Sequence, residues 1–503
     1  MSKANLAVLC MFLFILILPS ASYGQAADWT FMVYLDADNN LEGAGIGDIN
    51  EMEEVGSDAN INIVALFDRI PGYDSSNGNW TGSKIYYITH DTDPAKITST
   101  EVADWGEANM GNPATLEDFA LYCIDNYPAS HYALVLWDHG GGWRARASSS
   151  EDKPMKAVCW DDSNGGDCLY MDEVETALSY IHTQRTSLDL FGFDACLMGM
   201  LEVAYEVKDH ADIMVFSEQT IPYDGWPYDT LLGDLAANPA MGASMLGQAI
   251  VTRYGQSYGP ASDTTLSSLD LGLAQTLATT VSDFGAAMAS NWDEISSARA
   301  ATQDYYYPEH IDLYDFADNV STMVSDPAIQ AAANSVKTAV ANAVLAEFHG
   351  SALPGSNGVA IYFPQSESSF DTDYLSVIDM SADHLWDDFL QRYYESATAA
   401  VLSSFEAKGL QAAVKLSWMT EMELDCYGWN ILRSKNKNGP FYRINAKTIP
   451  GAGTTNEPQQ YSFIDRKVAA GTTYFYYLQE VYLSGETYSF NTNIVQATAK
   501  PRN

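Results

Sequence analysis

Tyr132-Ala133-Leu134-Val135-Leu136-Trp137-Asp138-His139-Gly140-Gly141-Gly142-Trp143 is the stretch on which the fold turns. It opens as a short apolar run and is stopped abruptly by three glycines, as a strand buried on both faces of a parallel sheet would be. A second run, Leu188-Asp189-Leu190-Phe191-Gly192-Phe193, has the same character and leads into Asp194-Ala195-Cys196-Leu197-Met198. Open α/β sheets bind ligands beyond the carboxyl ends of their strands, so His139 and Cys196 are expected to meet at one sheet edge.

Those two residues are the pattern of a cysteine nucleophile with its own acid/base. A thiol gains reactivity as its pKa falls, and Leu197 to Ala204 reads as a helix whose N-terminal dipole would favour a Cys196 thiolate. His139 can protonate a leaving amine. Gly140 to Gly142 allow backbone N–H groups to approach a substrate, so the Gly140 and Cys196 amides are the expected oxyanion donors. Taken singly, a cysteine is usually a small buried hydrophobe and a histidine usually structural.

Outward from these motifs, Phe31–Leu35, Ile61–Phe67 and Lys84–Ile88 read as strands, with a helix near Gly47–Val55 and another over Leu116–Tyr127. This βαβ rhythm predicts a mostly parallel sheet covered by helices. Residues 235–350 are rich in Ala, Leu, Met and Ser, with helical segments such as Ile329–Phe348. Gly358–Pro364 reads as a strand, and a helix follows to about Ala397. From there the pattern changes to strands and polar turns, among them Val414–Trp418, Tyr427–Ser434 and Tyr474–Val481, as in a β-sandwich of about 100 residues.

Around the dyad the chain resembles the clostripain family of cysteine peptidases, relatives of caspases, gingipains and legumain. The likeness extends to Phe31-Met32-Val33-Tyr34-Leu35-Asp36-Ala37-Asp38-Asn39-Asn40-Leu41-Glu42, to Gly225-Trp226 and to Gly358–Pro364. It implies a caspase-like α/β/α sandwich over residues 28–397, and residues 400–503 resemble a fibronectin type III module. It also implies an endopeptidase cutting after Arg or Lys through a thioester acyl-enzyme, with Asp194, and more weakly Asp224, in an acidic S1 pocket. The other reading is a non-catalytic secreted adhesion or binding protein on the same scaffold.

The chemistry itself needs no cofactor. Relatives can depend on calcium, and Asp36–Glu42 and the loop Asp161–Asp167 offer oxygen ligands, although the spacing of Asp36–Glu42 is not that of an EF-hand. That segment reads first as a strand-to-helix turn capped by Asx side chains. Internal processing is implied between residues 144 and 156, which hold four of the fourteen bases in the first 399 residues. Lys153 precedes Pro154, so the bonds after Lys156, Arg146 and Arg144 are the better candidates.

Lys3, the apolar run Leu6–Leu18 and the small residues after Pro19 resemble a secretory signal over residues 1–24, with release to the periplasm or outside the cell; the run is too short for a membrane anchor. Five cysteines would remain, and an odd count leaves a free thiol, expected at Cys196, with a disulfide considered between Cys159 and Cys168. The net charge of −41 argues against nucleic acid or anionic membrane and suits cationic peptides. No His-Glu-x-x-His suggests a zinc peptidase. The sequence leaves oligomeric state open.

Overall fold

The computed structural model describes residues 26–143, 157–397, 401–455, 457–483, 487–491 and 493–501. The signal-like segment and the processing candidates Arg144, Arg146 and Lys156 lie outside them.

The first unit runs β1 (Ala27–Ala37), α1 (Glu42–Val55), β2 (Ile61–Arg69), β3 (Gly82–Tyr87), β4 (Thr100–Gly106), α2 (Pro113–Asn126) and β5 (Ala129–Trp137). A hairpin of β6 (Val158–Asp161) and β7 (Asp167–Leu169) leads to α3 (Met171–Gln184), β8 (Leu188–Asp194), α4 (Leu201–Val207) and β9 (Ala211–Phe216). There follow α5 (Tyr228–Ala237), α6 (Ala243–Tyr258), β10 (Thr265–Asp270), α7 (Ala274–Ala287), α8 (Trp292–Ala301), β11 (His310–Asp312), α9 (Leu313–Met323) and α10 (Pro327–Ala343). Last come β12 (Val344–His349), β13 (Ala360–Tyr362), α11 (Asp379–Asp383) and α12 (Trp386–Ala397).

Nine strands form one sheet in the order β12-β10-β9-β8-β5-β1-β2-β3-β4. Its middle, β9-β8-β5-β1-β2, is parallel, and antiparallel strands extend it on both sides. Period-2 alternation explains why the central runs are apolar throughout. Phe31, Val33 and Leu35 of β1 face one core with Ile49 of α1, Leu231 of α5 and Leu246 of α6. Met32 and Tyr34 face the other with Phe119 of α2 and Val174 of α3. Leu134 of β5 has 0% of its surface exposed, so Leu134→Ala would cost about 2–5 kcal/mol.

Two expectations need correction. Ile329–Phe348 is not one helix: α10 ends at Ala343, and Val344–His349 pairs antiparallel with β10 at the sheet edge, where the Phe348 ring lies against Gly255 of α6. Cys159 and Cys168 are buried and are not joined by a disulfide, and β6–β7 pairing closes the loop between them.

A separate all-β unit begins at β14 (Val401–Leu410). The 22-residue β15 (Ala413–Ser434) pairs with β14 through its first half, and its second half pairs with the strand Thr473–Tyr482. Trp418, Trp429, Ile431, Tyr476 and Leu478 fill its core.

Candidate active site

β5 and β8 are parallel neighbours, with Trp137 in register with Asp194. Their carboxyl ends therefore deliver His139 and Cys196 to the same edge. Both line a cleft of about 230 Å³ with Leu41, Trp137, Asp138, Asp194, Ala195, Ile221, Pro222, Tyr223 and Gly225. Two larger hollows, of about 450 and 380 Å³, lie elsewhere on the surface and hold none of these residues. Close approach is built into the glycines: a Cβ on Gly140 would stand 2.3 Å from the Cys196 carbonyl oxygen and 3.0 Å from its nitrogen.

His139 Nε2 lies 2.9 Å from Asn40 Oδ1. Because that oxygen only accepts, the ring proton belongs on Nε2 and Nδ1 is the basic nitrogen. Asn40 sits in the turn between β1 and α1, which is set by Asx bonds: Asp36 Oδ1 accepts from the Asp38 amide at 3.2 Å and Asn39 Oδ1 from the Leu41 amide at 2.9 Å. The Asn39 amide donates to Asp138 Oδ1 (2.8 Å) and to the Trp160 carbonyl (2.9 Å), while Asp138 Oδ2 accepts from the Trp160 amide. Buried Asp138 thus ties the histidine turn to both neighbours. Burial pulls the His139 pKa below its ordinary value, against the opposing charge of Asp162.

Cys196 does not open a helix. Leu197 takes φ +65°, its amide donates to the Gln219 carbonyl, and the Gly199 amide donates to the Ser217 carbonyl. Residues 197–199 are thus paired with the segment after β9, and α4 starts only at Leu201. A Cβ on Gly199 would meet the Glu218 nitrogen at 2.5 Å, so only glycine allows this pairing. Burial, the largest influence, pushes the Cys196 thiol up to about 11; the Ile221 amide, 3.2 Å from Sγ, works in the other direction. Burial thus favours the neutral Cys196 thiol over the thiolate that a helix N-terminus would favour.

Asp194, 3% exposed, forms part of the cleft wall. Its Oδ2 accepts from the Trp226 amide and the Tyr228 hydroxyl, each at 3.0 Å, while buried Oδ1 has no hydrogen-bond partner. Burial raises its pKa to about 7. Asp224 is exposed and does not line the cleft. Sequence reasoning missed Asp48 of α1, whose Oδ2 accepts from Trp137 Nε1 at 2.6 Å. Burial first, and then the nearby Asp194 carboxylate, hold its proton well above the usual range. A Cβ on Gly225 would lie 3.0 Å from Asp194 Oδ2 and 3.1 Å from Asp48 Oδ2.

A thiol and an imidazole brought to one cleft by adjacent parallel strands of an α/β/α sandwich define a cysteine-hydrolase type of site. Residues 33–393 match the model of the Clostripain family, and the chain belongs to that family. Clostripain from Hathewaya histolytica is 39% identical over 228 residues, which are 41% of this chain and 42% of that protein, so the aligned part spans less than half the length of this relative. The fold is similar to that of a secreted C11 cysteine protease from Bacteroides thetaiotaomicron bound to an irreversible peptide inhibitor (TM-score 0.54, 21% identity, 71% of this chain and 99% of that one). It is also similar to an inactive zymogen C11 protease from Parabacteroides distasonis (TM-score 0.53, 20% identity, 73% of this chain and 99% of that one).

Proposed function

We propose that this chain is a secreted cysteine endopeptidase that cleaves polypeptides after Arg or Lys. His139 Nδ1 takes the Cys196 proton as Sγ attacks the scissile carbonyl, and the Gly140 and Cys196 amides stabilise the oxyanion. Collapse gives a thioester and passes the proton to the leaving amine; water, activated by the same nitrogen, then releases the acid. A thiol pushed up by burial needs this base during the step itself. The observation that carries the specificity is Asp194, a carboxylate with a buried unpartnered oxygen beside the nucleophile. A P1 cation would supply that partner, and losing one member of such a pair costs about 2–5 kcal/mol.

The test is a P1 substrate series on wild type and Asp194→Asn. Arg or Lys should lead for wild type, and the variant should lose most of that preference. A profile led by Asp, Asn or large apolar residues would overturn the specificity. A non-catalytic binding role gives no reason for the convergence of His139 and Cys196. Secretion fits the sequence of residues 1–24 and the secreted relative from Bacteroides; no described helix is long and apolar enough to cross a membrane.

Processing within residues 144–156 would relieve a zymogen, with cleavage after Lys156, Arg146 or Arg144. N-terminal sequencing of active enzyme beside Cys196→Ala decides this: a single uncut chain in fully active enzyme refutes it.

For calcium, the residues present fit the ion. Asp38, Asp68 and Glu107 bring one carboxylate oxygen each within 4.8 Å of one another, and the buried Oδ2 atoms of Asp38 and Asp68 have no hydrogen-bond partner. Both sequence candidates adjoin, since the Ser163 amide donates to Asp38 Oδ1 at 2.8 Å. An ion there would neutralise crowded carboxylates and steady the turn carrying Asn40. Calcium should raise the melting temperature of wild type but not of Asp68→Asn; equal shifts would sink this assignment.

A further inference from the structure

Asp194, at the end of β8, lines the cleft, and Asp48 of α1 lies directly behind two other lining residues, Trp137 and Gly225. The two contacts that a Gly225 Cβ would make, at 3.0 and 3.1 Å, place one oxygen of each carboxyl around the same point beside Gly225, and the glycine, at φ +57°, leaves that space open. Both side chains are almost wholly buried, Asp48 at 2% and Asp194 at 3% exposure. Asp48 is held in place by the indole of Trp137, whose ring itself lines the cleft. The groups whose charges bear on the pair are all ones that turn negative: Glu51 of α1, Asp224, the Cys196 thiol, and the phenols of Tyr223, Tyr228 of α5, and Tyr254 and Tyr258 of α6. Neither carboxyl has a basic partner among the described residues.

We propose that Asp48 is the second specificity carboxyl of the S1 site, and that it shares a proton with Asp194 which leaves to solvent when a basic P1 side chain enters.

This rests on the proposed preference for basic residues and extends it. Two buried carboxyls this close cannot both ionise without a nearby cation, so the empty pocket retains a proton. Arg or Lys at P1 supplies the cation: the Asp48 O–H bond breaks, its electron pair stays on the carboxylate, and the proton passes to water and buffer. The pocket then presents two negative charges to a basic side chain and about one to a neutral one. Asp48, behind Trp137 and Gly225, acts through Asp194 and the local field; it is a positioning residue, not a catalytic one. Discrimination between basic and neutral P1 residues should therefore grow by about tenfold for each pKa unit by which the bound cation lowers the Asp48 proton affinity.

The experiment uses the full chain carrying Cys196→Ala, so that nothing turns over. Acetyl-Ala-Ala-Arg-amide is titrated in calorimetry at pH 8 in two buffers of different ionisation enthalpy, with the norleucine-amide analogue as control. At pH 8 the pair still shares one proton, because burial holds both carboxyls above their ordinary range and the Asp194 charge holds Asp48 higher still. Release of a substantial fraction of a proton is expected with the arginine peptide, and none with the control. Adding Asp48→Asn, which keeps an acceptor for Trp137 Nε1, should abolish the release and weaken arginine-peptide binding by tenfold or more; Asp48→Glu should restore part of both. No release from the parent protein, or unchanged release with Asp48→Asn, overturns the proposal. Failure of the underlying preference looks different: Asp194→Asn would bind the arginine and norleucine peptides as the parent does.

Discussion

Replacing Asn40 by Ala removes the acceptor that fixes which nitrogen of His139 is basic. The 2.9 Å bond from Nε2 is the contact at stake. Asn39 still holds the same turn through Asp138 and Trp160, so the backbone should stay in place. A neutral hydrogen bond contributes about 0.5–1.5 kcal/mol, which converts to about a 2- to 13-fold fall in kcat/KM. Steady-state hydrolysis of an arginyl peptide anilide measures it. Asn40→Asp should restore the bond and, by adding a negative charge beside the ring, raise the pH at which the acid limb falls. Unchanged kcat/KM in Asn40→Ala would refute the orienting role, and so would a loss beyond a thousandfold with an unaltered melting temperature.

The remaining expectations follow from buried acids. Iodoacetamide should alkylate resting Cys196 slowly at pH 6 and faster as pH rises, because burial holds the thiol up at about 11; rapid, pH-independent alkylation at pH 6 would show a preformed thiolate and contradict this. Glu202 and Glu206 of α4 are raised by burial to about 7 and about 8, above the roughly 4.3 of an unfolded glutamate. The folded state therefore keeps protons that the unfolded state has released, and stability falls as pH rises from about 4 through both folded values. Melting in EDTA should be higher at pH 5.5 than at pH 8.5, and Glu206→Gln should flatten the difference; a rise toward pH 8.5 would reverse the sign.

Much of the edge that carries His139 and Cys196 was legible because it is local. An apolar run stopped by three glycines can be read as a buried strand without knowing its neighbours, and the same holds for the run before Cys196. Leu197–Gly199 was misread because its conformation comes from elsewhere: bonds to Ser217 and Gln219 hold Leu197 at positive φ and delay α4 to Leu201. The split of α10 from β12 has a similar origin in pairing with β10. Asn40 and Asp48 lie about ninety residues or more from the groups they touch, and nothing in Asn39-Asn40 or in an aspartate on a helix announces those contacts. The Asx turn was readable, but its role of carrying the histidine's partner was not.

The most direct test of the central claim is peptide hydrolysis by purified Cys196→Ala and His139→Ala beside wild type, with melting temperatures measured on the same samples. Nucleophile and base act as a unit, so each variant should fold as wild type does and lose essentially all turnover. Substantial hydrolysis by folded Cys196→Ala would contradict the assignment of Cys196 as the nucleophile.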